Sequence, residues 1–211
     1  MPKDILHTAL DVGTSKVSTI VSRLQADGTP ELMGVGISPS EGMRRGVVVN
    51  VQEAQEAIRG SVAEAAKSAG VPSQSAYIGT SDSQVEIFPR WGSLRSVIHN
   101  TPLTYSEIDR AVEAAFPAEL PPEKQVLHQI PRLFAVDGLK GIRNPVGMHA
   151  LRLDVETLCI VSATAPIQNL VHAAERVGLQ SRGVVFSALA AGEASLTRYE
   201  REMGVVLVEI G

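Results

Sequence analysis

The stretch ALDVGTSKVSTIV, residues 9–21, sets a carboxylate, a glycine, two hydroxyls and a lysine between two apolar runs. Residues 5–12 (ILHTALDV) read as one strand and the β-branched run 16–24 (KVSTIVSRL) as a second. Asp11-Val12-Gly13-Thr14-Ser15-Lys16 then forms the tip of a β-hairpin. A P-loop would need a glycine, four residues and Gly-Lys-Ser/Thr opening a helix, and the residues after Lys16 are poor helix formers. The spaced glycines of a dinucleotide fingerprint are absent too. A hairpin tip can still hold phosphate. Gly13 lets the backbone approach closely, and successive N–H groups make a concave anion site. Thr14 and Ser15 can donate hydrogen bonds, and Lys16 supplies charge. Asp11 would repel phosphate directly and fits better as a holder of hydrated Mg²⁺ or of an attacking water. Asp, Gly, Thr and Ser are also ordinary turn residues, and on six residues alone a plain turn is the simpler reading.

The context extends outward from this hairpin. Asp27-Gly28 predicts a turn into a third strand over 31–38. Asn50 and Glu53 mark a capping-box helix start, with Val51, Ala54, Ile58, Val62, Ala65 and Ala69 as its apolar stripe. Gly70 and Pro72 stop that helix. A short strand over 76–80 completes a β-β-β-α-β frame.

Composition changes over 83–162. Two short strands, 84–88 and 94–98, are expected around Pro89, Trp91 and Gly92. Thr104 and Glu107 open a helix to Phe116 with Ile108, Val112 and Ala115 on one face. Strands over 125–136 and 150–164 flank the glycine-rich loop DGLKGIRNPVGMH, giving a β-α-β-β insertion. Afterwards Pro166 begins a helix that ends at Gly178. A strand over 182–186, an alanine-rich helix over 187–196 and a helical turn from Thr197 follow. GVVLVEIG (204–211) reads as an apolar strand that breaks off at a glycine, and we expect a part of something longer.

With 211 residues, 44% of them hydrophobic, the chain can bury a substantial core. A net charge of −4 gives no basic field for nucleic acid. The single cysteine, Cys159, lies in an apolar run and is expected to be buried; with one cysteine there is no internal disulfide, compatible with a reducing cytoplasm. The N-terminal MPKDILH lacks a signal-peptide pattern, and no apolar run nears the ~18 residues of a membrane span. These features describe a soluble, intracellular, globular protein. His7, His99, His128, His149 and His172 lack metal-ligand spacing. Arg44 and Arg45 suit a solvated loop or a partner patch, and Trp91 an exposed anchor or a packed side chain.

The β-β-β-α-β frame with an acidic end to strand one resembles the first phosphate-binding half of the actin, hexokinase and heat-shock-chaperone architecture. ALDVGTSKVSTIV, GVGISPSEGMRRGVVVN, the VLHQIP strand with its IRNPVGM loop, AAERVGLQ and GVVLVEIG stand in the order found in the FtsA family of bacterial cell-division proteins. The resemblance runs over essentially the whole chain. It implies an α/β, actin-like (ribonuclease H-like) subdomain 1A carrying an inserted subdomain 1C. The implied limits are 1–82 and 163–197 for 1A, 83–162 for 1C, and 198–211 for the start of subdomain 2A. By resemblance, Asp11, Gly13, Thr14, Ser15 and Lys16 would hold the phosphates of ATP, with Mg²⁺ reached from Asp11 through water. No catalytic residue is implied, and a nucleotide switch is expected rather than a metabolic enzyme.

Such proteins polymerise, tether the FtsZ ring to the membrane through a C-terminal amphipathic helix, and recruit later divisome proteins through 1C. The implied place is the cytoplasmic face of the membrane at the division site. The family's second phosphate loop resembles Asp-Ile-Gly-Gly-Gly-Thr, whereas this sequence reads Glu209-Ile210-Gly211. With one side of the site only, a nucleotide would lose most of its burial, so these residues alone are expected to bind ATP poorly. The alternatives are a pilus-assembly relative and a sugar kinase, for which no substrate base stands out.

Overall fold

The computed structural model describes residues 6–95, 102–117 and 119–209. The chain divides into two compact units, Met1–Ser83 with Thr164–Gly211, and Gln84–Ala163.

The first unit opens with β1 (Leu6–Val12), β2 (Lys16–Leu24) and β3 (Pro30–Pro39), an antiparallel meander with Val12 opposite Val17. Thr29 N–H donates to Asp27 Oδ1 at 2.9 Å and fixes the β2–β3 turn. A small ribbon, β4 (Met43–Arg44) and β5 (Val47–Val48), follows. Its turn holds Arg45 and Gly46 at φ 50° and 77°, the paired positive φ of a type I′ hairpin. Helix α1 (Val51–Ala69) starts where Asn50 Oδ1 accepts from the Gln52 and Glu53 N–H groups, and ends at left-handed Gly70. Its buried face is Ala54, Ala57, Ile58, Ser61 and Ala65; Val51 of the expected stripe stays 39% exposed. Strand β6 (Ser75–Thr80) runs parallel to β1.

The second unit holds β7 (Glu86–Arg95), α2 (Tyr105–Ala114), β8 (Lys124–Val136), β9 (Leu139–Ile142) and β10 (Arg152–Ala163), with sheet order β7-β10-β8-β9. The expected pair of strands at 84–88 and 94–98 is instead the single strand β7; residues 96–98 lie outside those described. Pro89 is tolerated because β7 is an edge strand and needs no donor on its open side. Gly92 lies where α2 crosses: a Cβ there would stand 2.2 Å from Ala111 O. The loop after β8 also contains β9, since Asp137 and Gly138, at φ 47° and 87°, turn the chain back onto β8. Leu103, Ala111, Phe134, Val136, Leu153 and Val155 form the core of this unit.

The chain then returns to the first unit through α3 (Thr164–Arg176), β11 (Gln180–Phe186), α4 (Ser187–Ser195) and α5 (Arg198–Met203). Strand β11 adds in parallel beside β6, giving sheet order β11-β6-β1-β2-β3. Helices α1 and α3 pack against one face of this sheet around Leu10, Val12, Val17, Ile58, Ile78, Leu170 and Leu179. Gly36 allows α1 its close approach, since a Cβ there would lie 1.9 Å from Ser61 O. A buried bond between Thr19 and Ser61 hydroxyls, 2.8 Å, satisfies the polar groups at that contact. The expected strand over 204–211 does not form in its described part. Residues 204–209 are non-strand and exposed, with Val206 at 88%, because no neighbouring strand pairs with them.

Candidate functional site

Alternation along β1 sends Leu10 and Val12 into the core and leaves Ala9 and Asp11 on the opposite face. Asp11 therefore stands near the carboxyl end of a central strand, directly before the β1–β2 turn. Within that turn Gly13 N–H donates to Lys16 O at 3.0 Å. Ser40, just past β3, ties the tip down: its hydroxyl donates to Gly13 O at 2.7 Å and its N–H to Ser15 O at 3.2 Å. Those bonds engage backbone carbonyls and leave the side chains of the tip free. Thr14, Ser15 and Lys16 are exposed, and their side chains make no hydrogen bond or ion pair among the described residues. An unpaired ammonium flanked by two hydroxyls, on a turn held by Ser40, is chemically suited to an oxyanion.

Asp11 has a fixed partner. Ser187, the first residue of α4, donates from its hydroxyl to Asp11 Oδ1 at 2.9 Å. Both groups sit over Gly79 of β6, where a Cβ would come within 2.7 Å of Asp11 Oδ1 and 2.9 Å of Ser187 Oγ. A cleft of about 390 Å³ opens here, lined by Asp11, Ser18, Tyr77, Gly79, Ser187 and Glu209. Of the five residues singled out in the hairpin, Asp11 lines this cleft; Gly13, Thr14, Ser15 and Lys16 lie outside its wall. The structure thus bonds Asp11 to Ser187 in a cleft that Glu209 also lines, and presents the other four as a separate neighbouring tip. With Oδ1 engaged by Ser187, Asp11 can offer its second carboxylate oxygen to a water of a hydrated cation; among the described residues no three His, Cys, Asp or Glu side chains gather as direct metal ligands.

Ser187, Gly79 and Ser40 escaped the sequence reading because their partners lie 176, 68 and 27 positions away in the chain, beyond any local pattern. The signal available was Gly79 itself, since a glycine inside a strand often marks a close approach. Elsewhere, Cys159 is fully buried and Trp91 is 54% exposed. Burial pushes the His128 imidazole below its ordinary pKa. Among the described residues, no helix is long and apolar enough to cross a membrane.

Residues 93–161 match the family of SHS2 domains inserted in FtsA. The chain is 34% identical to the cell division protein FtsA of Borreliella burgdorferi over 206 residues, covering 98% of this chain and 50% of that protein. It is 33% identical to FtsA of Pseudomonas aeruginosa over 202 residues, covering 96% and 48%, and 32% identical to FtsA of Bacillus subtilis over 211 residues, covering 100% and 48%. The chain therefore spans about half the length of the curated relatives it matches. Among solved structures it is similar to a PilM–PilN type IV pilus biogenesis complex, with TM-score 0.59 and 15% identity over 89% of this chain and 49% of that one. That likeness concerns the fold, which is actin-like with an inserted SHS2 domain.

Proposed function

We propose, from the premise that this chain is a partial FtsA, a cell-division protein of actin-like fold, that it forms the first phosphate-binding side of an ATP-dependent adaptor. In this reading Gly13, Thr14, Ser15 and Lys16 bind phosphate oxygens, and Asp11, steadied by Ser187, orients water on Mg²⁺. When bound, ATP with Mg²⁺ would supply phosphate charge and a divalent cation, which these residues would hold and orient. The complete protein tethers the FtsZ ring to the membrane, self-associates into polymers and recruits later divisome proteins through the 84–163 unit, at the cytoplasmic face of the division site. The 211 residues by themselves bind ATP weakly, because they supply one side of the contact.

The observation that supports this most is the Ser40-braced tip, whose Lys16, Thr14 and Ser15 side chains stand exposed and unpaired beside Asp11. Calorimetric titration of the complete protein with MgATP tests it. Lys16→Ala is expected to weaken binding roughly tenfold, the loss of one charge-assisted contact worth about 1.5 kcal/mol. Unchanged affinity in Lys16→Ala and in Thr14→Ala would overturn the assignment.

A further inference from the structure

The second unit has a sheet face turned away from α2, and its register puts named residues in rows. Arg95 pairs directly with Arg152 across β7 and β10. The next row on the same face is Ser93, Asp154, Ala135 and Lys140, and the row beyond is Trp91, Glu156 and Leu133. Gly92, between Trp91 and Ser93, points to α2, so the indole belongs to the uncovered side. Trp91 is 54% exposed and Leu133 41%. Beside them lies a hollow of about 340 Å³, whose lining includes Trp91, Ser93, Ala135, Lys140, Arg152 and Asp154.

The charges on this face are not balanced. Both of its carboxylates are recessed and matched: Asp154 with Arg152 at 2.8 Å, and Glu156 with Arg132 at 3.9 Å. Arg95 and Lys140 are exposed and have no ion pair or hydrogen bond among the described residues. Like charges directly opposite on paired strands, as Arg95 and Arg152 are, destabilise a sheet. An anionic occupant would relieve that repulsion. Meanwhile an exposed indole beside free cations is the composition of an interface centre rather than of ordinary surface.

We infer that this face docks an acidic peptide segment that carries apolar or aromatic side chains, its carboxylates on Arg95 and Lys140 and an apolar side chain against Trp91 and Leu133. Arg95 and Trp91 are four positions apart on one strand, about 13 Å at extended spacing, so a short extended segment reaches both. The inference rests on the recruitment reading above and names the chemistry of the recruited partner.

Trp91 is the sole tryptophan of the chain, so indole emission reports this face alone. The probe is a twelve-residue peptide of Glu, Asp, Leu and Phe, titrated against the 211-residue chain beside its charge-inverted Lys counterpart. The acidic peptide is expected to shift the emission saturably and to weaken severalfold at high salt. Arg95→Glu with Lys140→Glu is expected to lower its affinity roughly tenfold with no loss of melting temperature, since a carboxylate at position 95 would face Arg152 in place of a like charge. No shift with the acidic peptide, equal binding of the basic one, unaffected binding by the double variant, or the same shift from phosphatidylglycerol vesicles overturns the inference. MgATP titration of the complete double variant separates the two readings. Lost peptide binding with intact ATP affinity supports this docking site, whereas a complete protein that never binds ATP sinks the phosphate assignment and leaves the Trp91 result standing.

Discussion

The Ser187 hydroxyl donates to Asp11 Oδ1 at 2.9 Å, closing a contact between residues 176 positions apart over the bare backbone of Gly79. Two segments far apart in sequence thereby set the direction of one carboxylate. Gly79→Ala is expected to split this pair, because its methyl would fall inside the contact distance of both oxygens. In the complete protein it should weaken MgATP binding more than Ser187→Ala does, since Ser187→Ala removes a partner without filling the space. Calorimetry checks the order of the two variants, and a Gly79→Ala protein with native affinity contradicts it.

The α1–β3 contact predicts opposite outcomes for two glycines. Gly36→Ala drives a methyl into the α1 backbone and should destabilise the first unit by roughly 3 kcal/mol. Gly60, an exposed position within α1, has only Ser38 at 3.4 Å, and Gly60→Ala should stabilise by about 0.5–1 kcal/mol. Urea denaturation of both variants measures the difference.

Asn50 caps α1 through its Oδ1, on the Gln52 and Glu53 amides. Asn50→Ala is expected to cost about 1 kcal/mol, and Asn50→Asp to retain most of the stability. Thermal unfolding followed by circular dichroism reads both.

His128 predicts a dependence on acid. Burial holds its folded pKa below the ordinary 6.5, so the unfolded chain takes up the proton first. Its contribution to stability is present above pH 6.5, declines as pH falls from there toward the depressed folded value, and is flat below that value. His128→Gln should lose less stability than the native chain between pH 7 and pH 5. Denaturation midpoints at the two values measure the slope, and equal slopes would refute the assignment.

Much of the fold was legible because local physics and tertiary packing agree. The β-branched run 16–24 is β2 to the residue, and Asn50 and Gly70 bracket α1 as their capping chemistry requires. The misreadings fall where the neighbourhood decides. Pro89 and Gly92 look like breakers, yet one sits on an open edge and the other under a crossing helix, so β7 runs on through both. The apolar 204–209 run has strand composition and no strand beside it. At the site, Asp11 and the tip could be read from the sequence, whereas Ser187 and Ser40 could not, since only the folded chain brings them near. The Arg95–Arg152 opposition was equally hidden, because register alone makes those two residues neighbours.

The second unit begins and ends on adjoining strands: Glu86 near the start of β7 pairs with Val161 near the end of β10. Once folded, it hands the chain back about one strand spacing, roughly 5 Å, from where it departed. For the surrounding unit the whole excursion from 84 to 163 then acts as a very short tether. The entropy of bringing β6 and α3 together is thus met by the insert's own folding, at a cost that otherwise rises by about 0.6 kcal/mol with each doubling of loop length. A chain whose 84–163 segment is replaced by a tight turn should therefore refold its host as fast as the native chain, and one whose insert is unfolded by mutation should refold it more slowly.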